Sequence, residues 1–272
     1  MEAKPHIKEA ERLNASVIIS LSILDYLETE DSASLTELAE ALDIHKSRVM
    51  RICGTMEQMG YIRRRQTDAR YTLGPRVLSL GKAFERQNPL LQVVREQIQK
   101  ISVALDENLL FQTLRDGKRL AVVAVSRAKR SRYMTPEGSE AKITYGASGK
   151  VFLSWGPPEL RAEILAEAPY PRYTEHTRTT ADELLHDISE TISRGYATSY
   201  EERTYGTAAL AVPVFGEGGR LLGSLSIAST TERLTPELID RALPMLRDAA
   251  ATVQSMVSGS EKFVIVKPRR DR

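Results

Sequence analysis

LTELAEALDIHKSRVMRICGTMEQMG, residues 35–60, holds two short amphipathic segments joined at Asp43-Ile44-His45, and the architecture of the N-terminal part of the chain follows from it. Leu35, Leu38, Ala39 and Leu42 fall on one side of the first segment. In the second, Val49, Ile52, Cys53, Met56 and Met59 do the same, at the three-and-four spacing of a helix that buries one face. Gly60 stands where a helix end often takes a left-handed residue. Upstream, Val17, Leu21, Leu24 and Leu27 predict a helix over 16–28 with those four side chains inward, closed by the polar run 29–34. Downstream, the β-prone runs 61–65 and 70–73 flank the polar tip 66–69 and predict a hairpin. Helix, helix, tight turn, helix, hairpin is the order of a winged helix-turn-helix, placed over 15–74 after an N-terminal arm, 1–14.

With Val49 and Ile52 inward, His45, Lys46, Ser47, Arg48 and Arg51 lie on or near the exposed side of the third helix. Donors on the first turns of a second helix are what reading the DNA major groove requires, because an arginine pairs with guanine O6 and N7 while Ser and Lys reach phosphates or base edges. The hairpin adds Arg63, Arg64, Arg65 and Arg70. From 45 to 76 the charged residues are these arginines with Lys46 and Arg76, against only Glu57 and Asp68. The whole chain carries a net charge of only +2, so the basic footprint is local, and it predicts double-stranded DNA as a partner.

At 272 residues the chain has room for two domains, and its ordinary composition fits folded, globular ones. The single cysteine, Cys53, excludes an intramolecular disulfide and sits on the apolar stripe as a core residue. No Cys/His spacing suggests a metal site, and no cofactor motif is present. The N-terminus lacks the apolar core of a secretory signal, and no run approaches the ~20 apolar residues of a membrane span, so a cytoplasmic protein without membrane contact is expected.

Val77, Leu78, Leu80 and Phe84 suggest a linker helix, 75–89, closed by Pro89. Strands and helices alternate thereafter, through 90–257. Leu91, Val94, Ile98, Ile101 and Leu105 mark a helix, 109–114 and 120–126 are strands, and helices are expected over 148–155, 159–167 and 181–194. Thr180 with Glu183 reads as a capping box, and Gly195 as the stop. Two strands, 208–215 and 221–229, flank the turn 216–219, and a final helix over 236–256 is expected to bury Ile239, Leu243, Leu246, Ala250 and Val253. A basic tail, 258–272, ends the chain.

Residues 35–39, His45 to Arg51, Gly60-Tyr61-Ile62 and Tyr71 to Gly74 together resemble the N-terminal half of the isocitrate-lyase-regulator (IclR) family of bacterial transcription factors. The resemblance continues through Gly149 to Leu153, Arg194 to Ala197, Glu201-Glu202, Gly206, Ala211 to Val214 and Ser224 to Ile227, and spans about residues 15 to 256. It implies an α+β chain: a winged helix-turn-helix, a linker helix and a C-terminal GAF-like α/β effector-binding domain, assembled as a homodimer or a dimer of dimers on a palindromic operator. It also implies a small-molecule effector, commonly a carboxylate, keto acid or aromatic acid. By the same resemblance Ala147, Ser148 and Gly149 would hold an anionic group at a helix N-terminus, with Tyr133, Ser199, Thr207, Ala209, Ser226 and Ala228 as further walls. Ser199 stands where the family commonly has an acid, and Ala209 and Ala228 replace polar residues of some relatives. Fewer polar partners favour a larger, more apolar ligand, an aromatic or acyl acid rather than a small keto acid. Lys129, Arg130 and Arg132 would attract such an acid.

Two other classes compete. An enzyme would need an active site, yet no Gly-x-Ser-x-Gly elbow occurs, and His6, His45, His176 and His186 have no nucleophile beside them. Glu201 and Glu202, read as the start of a strand, would point to opposite faces, so one of them is expected to be structural. Gly146 to Lys150 lacks the spacing of a phosphate-binding loop. The other competitor is a DNA-binding protein without an effector, whose C-terminal domain only oligomerises.

Overall fold

The computed structural model describes residues 13–127 and 135–257, and the chain divides into two compact units, one ending at Gln87 and one beginning at Asn88. The first unit comprises α1 (Ala15–Thr29), α2 (Leu35–Leu42), α3 (Lys46–Gln58), the strands β1 (Ile62–Arg64) and β2 (Tyr71–Leu73), and α4 (Pro75–Gln87). The first two helix starts have a local cause. The Asn14 side chain accepts from the Ser16 and Val17 amides, and Ser34 and Glu37 form a reciprocal capping box on α2. Asp43, left-handed at φ 55°, closes α2, and the Ile44 amide returns to the Ala39 carbonyl to make the tight turn into α3.

Ile23, Leu27, Leu38, Val49, Cys53, Met56, Ile62 and Tyr71 form the core of this unit. Burial pushes the Cys53 thiol up to about 11, as fits a packed apolar residue. Two expectations need correction. On α1 the inward stripe is Ile19, Ile23 and Leu27, whereas Val17 and Leu21 are exposed. Residues 17–24, VIISLSIL, carry two opposed apolar stripes, so periodicity alone cannot choose between them; packing against α3 does. Met59, expected inward, caps α3 and is 62 % exposed, because the helix ends one residue earlier.

The second unit runs α5 (Pro89–Leu105), β3 (Asn108–Arg115), β4 (Lys118–Val125), β5 (Glu140–Lys142), α6 (Ala147–Trp155), α7 (Pro158–Ala166), α8 (Ala181–Arg194), β6 (Ala197–Tyr200), β7 (Thr207–Phe215), β8 (Leu221–Thr230) and α9 (Pro236–Val257). Pro89 opens α5 instead of closing the preceding helix, the position its fixed φ and missing N–H favour. The strands form one antiparallel sheet in the order β5-β4-β3-β8-β7-β6. One face carries Leu109, Phe111, Val123, Leu210, Val212, Val214, Leu225 and Ile227 and packs on α5 and α9. Residues of α9 that reach the core are Leu238, Ala242, Leu246, Ala249 and Val253; Ile239, Leu243 and Ala250, expected at the centre, flank it. Small side chains at 242 and 249 let the helix approach the sheet, which a reading weighted by side-chain size does not foresee. Strand β5, with its single apolar residue Ala141, has no signature in the sequence pattern. Strand β6 ends at Tyr200, so Glu201 and Glu202 occupy the following turn, with Glu201 left-handed at φ 56°. Among the described residues no helix is long and apolar enough to cross a membrane.

Candidate functional site

The opposite sheet face is built from small and polar residues. Register aligns Ser199, Ala209, Ala228 and Asn108 in one cross-strand row, and Ala211, Ser226 and Leu110 in the next. Thr207 lies on the same face one step along β7, its hydroxyl donating to the Thr204 carbonyl at 2.6 Å. Helix α6 crosses this face: Ala147 and Val151 pack on Ala197 and Ala211, and the Ser224 hydroxyl donates to the Ser148 oxygen at 3.2 Å. The structure thus places Ala147, Ser148, Gly149, Ser199, Thr207, Ala209, Ser226 and Ala228 on one side of the sheet. Tyr133, with Lys129, Arg130 and Arg132, lies outside the described residues.

Gly149 explains the close approach of α6. A Cβ there would overlap the Ile143 carbonyl, a backbone group that cannot swing aside. Gly149→Ala is therefore expected to destabilise the unit by about 1–3 kcal/mol through overpacking. The only tryptophan, Trp155, ends α6 and packs edge-on against Phe215, so its fluorescence during urea unfolding reports on this unit. An unshifted midpoint would mean that the helix start yields.

Charges that the sequence pattern does not single out converge beneath α6. Lys150 is buried, and its Nζ meets Glu202 Oε1 at 2.7 Å, Asp187 Oδ2 at 2.9 Å and the Thr198 carbonyl at 3.0 Å. Arg178 Nε also reaches Asp187, at 2.9 Å, and Glu202 Oε2 accepts from the Gly146 amide at 2.6 Å. Burial alone would raise the Asp187 pKa, but Lys150 and Arg178 outweigh it and hold the carboxyl below its usual range. Glu201 accepts from the Gly206 amide at 2.7 Å, so both glutamates have structural partners, not one of them alone. A lone lysine among the apolar residues of ASGKVFLSW was the available signal, since a cation in such a helix needs a buried partner. A cavity of about 210 Å³ lies beside this cluster, between β6 and α8; of the expected site residues only Ser199 borders it.

In the first unit His45, Lys46, Ser47, Arg48 and Arg51 are all exposed on the start of α3. Lys46 donates to the Thr36 hydroxyl at 2.7 Å, which ties α3 to α2. The Arg48 and Arg51 guanidinium groups have no hydrogen bond or ion pair among the described residues. Hairpin arginines divide into two kinds. Arg63 and Arg64 are exposed on β1; Arg63 donates to the Thr72 hydroxyl, and Arg64 donates to the Ala69 carbonyl with its guanidinium 5.9 Å from the Tyr71 ring centroid. Arg65 is paired to Asp68 at 2.6 Å, and Arg70 is clamped by Ser32 and by Glu37 at 2.7 Å. Ala33 and Tyr71 exchange backbone hydrogen bonds at 3.0 and 2.7 Å, so the hairpin base is fastened to the α1–α2 turn.

The chain matches the description "Bacterial transcriptional regulator IclR C-terminal" over residues 83–255 and "IclR helix-turn-helix domain" over 16–66. It is 27% identical over 243 residues to the HTH-type transcriptional regulator KdgR of Escherichia coli, covering 89% of this chain and 92% of that protein. The crystal structure of an IclR transcriptional regulator from Alicyclobacillus acidocaldarius superposes with a TM-score of 0.83 at 25% identity, over 90% of this chain and 99% of that one. A homolog from Microbacterium hydrocarbonoxydans, solved with 4-hydroxybenzoate, shares the fold with a TM-score of 0.80 at 19% identity, over 90% of this chain and all of that one.

Proposed function

The chain belongs to the IclR family of bacterial transcriptional regulators, and from that premise we propose that it is a cytoplasmic repressor or activator of a catabolic operon that answers to a small organic acid, aromatic or acyl. The carrying observation is the pair of unpartnered guanidinium groups, Arg48 and Arg51, on the exposed start of the helix that follows the tight turn. In this reading residues 15–74 bind DNA, 75–89 link and 90–257 sense. Ser47, Arg48 and Arg51 face base edges in the major groove, while Arg63 and Arg64 lie along phosphates. Arg65 and Arg70 shape the wing from behind.

Two identical chains on a palindromic operator follow from the smallness of one winged helix, which reads few base pairs alone. Exposed apolar side chains support a homodimer. Helix α4 has no buried residue and leaves Leu78 67 % exposed, and Val17 and Leu21 are bare on α1. These are surfaces that a second copy would cover. For the ligand, that face sets the small apolar side chains Ala209, Ala211 and Ala228 among the hydroxyls of Ser199, Ser224 and Ser226, which suits a body that is partly apolar with polar groups to match. A related fold holds 4-hydroxybenzoate, a molecule of that kind.

Fluorescence anisotropy of the purified protein on its own upstream intergenic DNA, across a salt series, tests the reading against scrambled DNA of equal length. Preference for the native sequence is expected, with affinity falling steeply with salt. Replacing Arg63 and Arg64 by Gln should weaken both DNAs alike and lower the slope of log K against log salt by about 1 to 2. Equal, weak binding to both sequences by the wild type would remove the operator reading.

A further inference from the structure

Arg119 springs from β4 opposite Leu114, and so from the sheet face that α6 crosses. Its guanidinium carbon lies 4.9 Å from the centroid of the Tyr145 ring, one residue before the cap of α6. Arg203, from the turn beyond β6, lies 5.3 Å from the same centroid and 5.9 Å from that of Tyr173. The two tyrosines meet edge to face at 5.4 Å. Two cations are thus gathered about one ring, an arrangement that like-charge repulsion opposes.

Ordinarily a carboxylate resolves such a cluster, and here none does. Neither arginine has an ion pair among the described residues. Arg203 gives one hydrogen bond, to the Tyr145 hydroxyl at 3.0 Å. Arg119 likewise reaches only Tyr145, and its Nε is buried without a partner. Glu202 eases the charge on Arg119 from a distance, but its oxygens are held by the Gly146 amide and Lys150. Burial correspondingly holds the Arg119 guanidinium below its usual range. Nor can Arg119 be read as mere packing, because a buried donor left unpaired carries a desolvation cost that an apolar residue would avoid.

We propose that Arg119 and Arg203, mounted on Tyr145, form a binding site for a small oxyanion, a carboxylate or a phosphate. A planar guanidinium offers parallel N–H groups that fit two oxygens of such a group, and a second guanidinium neutralises the remaining charge. The site deepens the sensor reading and rests on it only for the source of the ligand: the charged end of the effector would dock on the arginines and its body on the small-residue face. Binding of the oxyanion itself does not depend on that reading.

Thermal unfolding of the full-length protein, followed by Trp155 fluorescence in chloride, phosphate or benzoate at equal ionic strength, tests it. Phosphate or benzoate is expected to raise the Tm of the wild type above that in chloride, in a concentration-dependent way. Arg119→Met and Arg203→Met are each expected to weaken the apparent affinity at least about tenfold, the worth of one charge-assisted hydrogen bond. Arg203 is exposed, so its variant keeps the test valid if Arg119→Met folds poorly. The anion that stabilises more distinguishes a phosphate from a carboxylate ligand. Equal Tm in all three salts, or a rise that survives both substitutions, would overturn the site. Stabilisation by an oxyanion in a protein whose operator binding ignores every acid tried would keep the site and remove the sensor reading.

Discussion

Lys150→Met should cost the C-terminal unit about 3–5 kcal/mol at neutral pH, the usual penalty for removing one partner from a buried ion cluster. The methionine fills much the same volume, so the loss is electrostatic. Asp187 and Glu202 remain buried and near one another, Asp187 with Arg178 as its cation and Glu202 with the Gly146 amide as its hydrogen-bond donor and Arg119 and Arg178 only at longer range. The pH dependence separates this cause from a packing defect. In the wild type the Asp187 pKa is depressed by folding, so its contribution is present above the ordinary carboxylate range near 4 and is lost as pH falls through the folded value. Without Lys150 the folded pKa of Asp187 rises, and the variant regains ground on acidification. Urea midpoints from Trp155 fluorescence between pH 7 and pH 4 should therefore converge. A constant gap across that range would contradict the electrostatic account, and no gap at pH 7 would mean the cluster is dispensable.

Arg48→Ala and Arg51→Ala are each expected to weaken specific operator binding by about 1–3 kcal/mol, with little effect on scrambled DNA. Both guanidinium groups project from the solvent side of α3, opposite Val49, Ile52 and Cys53, so truncation leaves the core untouched and the fold intact. The contrast with Arg63 and Arg64 is the informative part. Base-edge contacts lower discrimination between sequences, whereas phosphate contacts lower affinity for all of them and reduce its salt dependence. Anisotropy titrations on native and scrambled DNA, with both pairs of variants, resolve the two roles. A loss of the same size on both DNAs for Arg48→Ala and Arg51→Ala would place α3 along the backbone instead of in the groove.

Local signals in the chain were strong where one residue decides an element. Thr180, Glu183 and Gly195 bound α8, and Gly60 is left-handed at φ 79° after α3. Faces were less legible than elements. The two stripes of α1 are equally apolar, and alanines set the seat of α9, so tertiary packing and not periodicity fixed both orientations. Resemblance singles out positions 147–149, 199, 207, 209, 226 and 228; strand register sets the last five on one sheet face, and α6, which carries the first three, crosses it. It could not reveal that Arg70 faces inward, because Ser32 and Glu37 lie 38 and 33 residues away in sequence and only the fold joins them. Of the cluster of Lys150, Asp187 and Glu202 only the lysine, a cation in an apolar helix, is legible in the sequence; its two carboxylate partners are distant in sequence and only the fold joins them.

Lys150 has one more effect, which concerns the sheet as a polymerisable object. An antiparallel sheet ends in strands whose outward carbonyls and amides can recruit a strand from another molecule. Here β6 is one such margin, and the Lys150 ammonium occupies the Thr198 carbonyl there. The other margin, β5, is three residues long and carries Glu140 and Lys142, both exposed, leaving little for a stranger to extend. Among the described residues both margins of the sheet thus offer little backbone to strand addition.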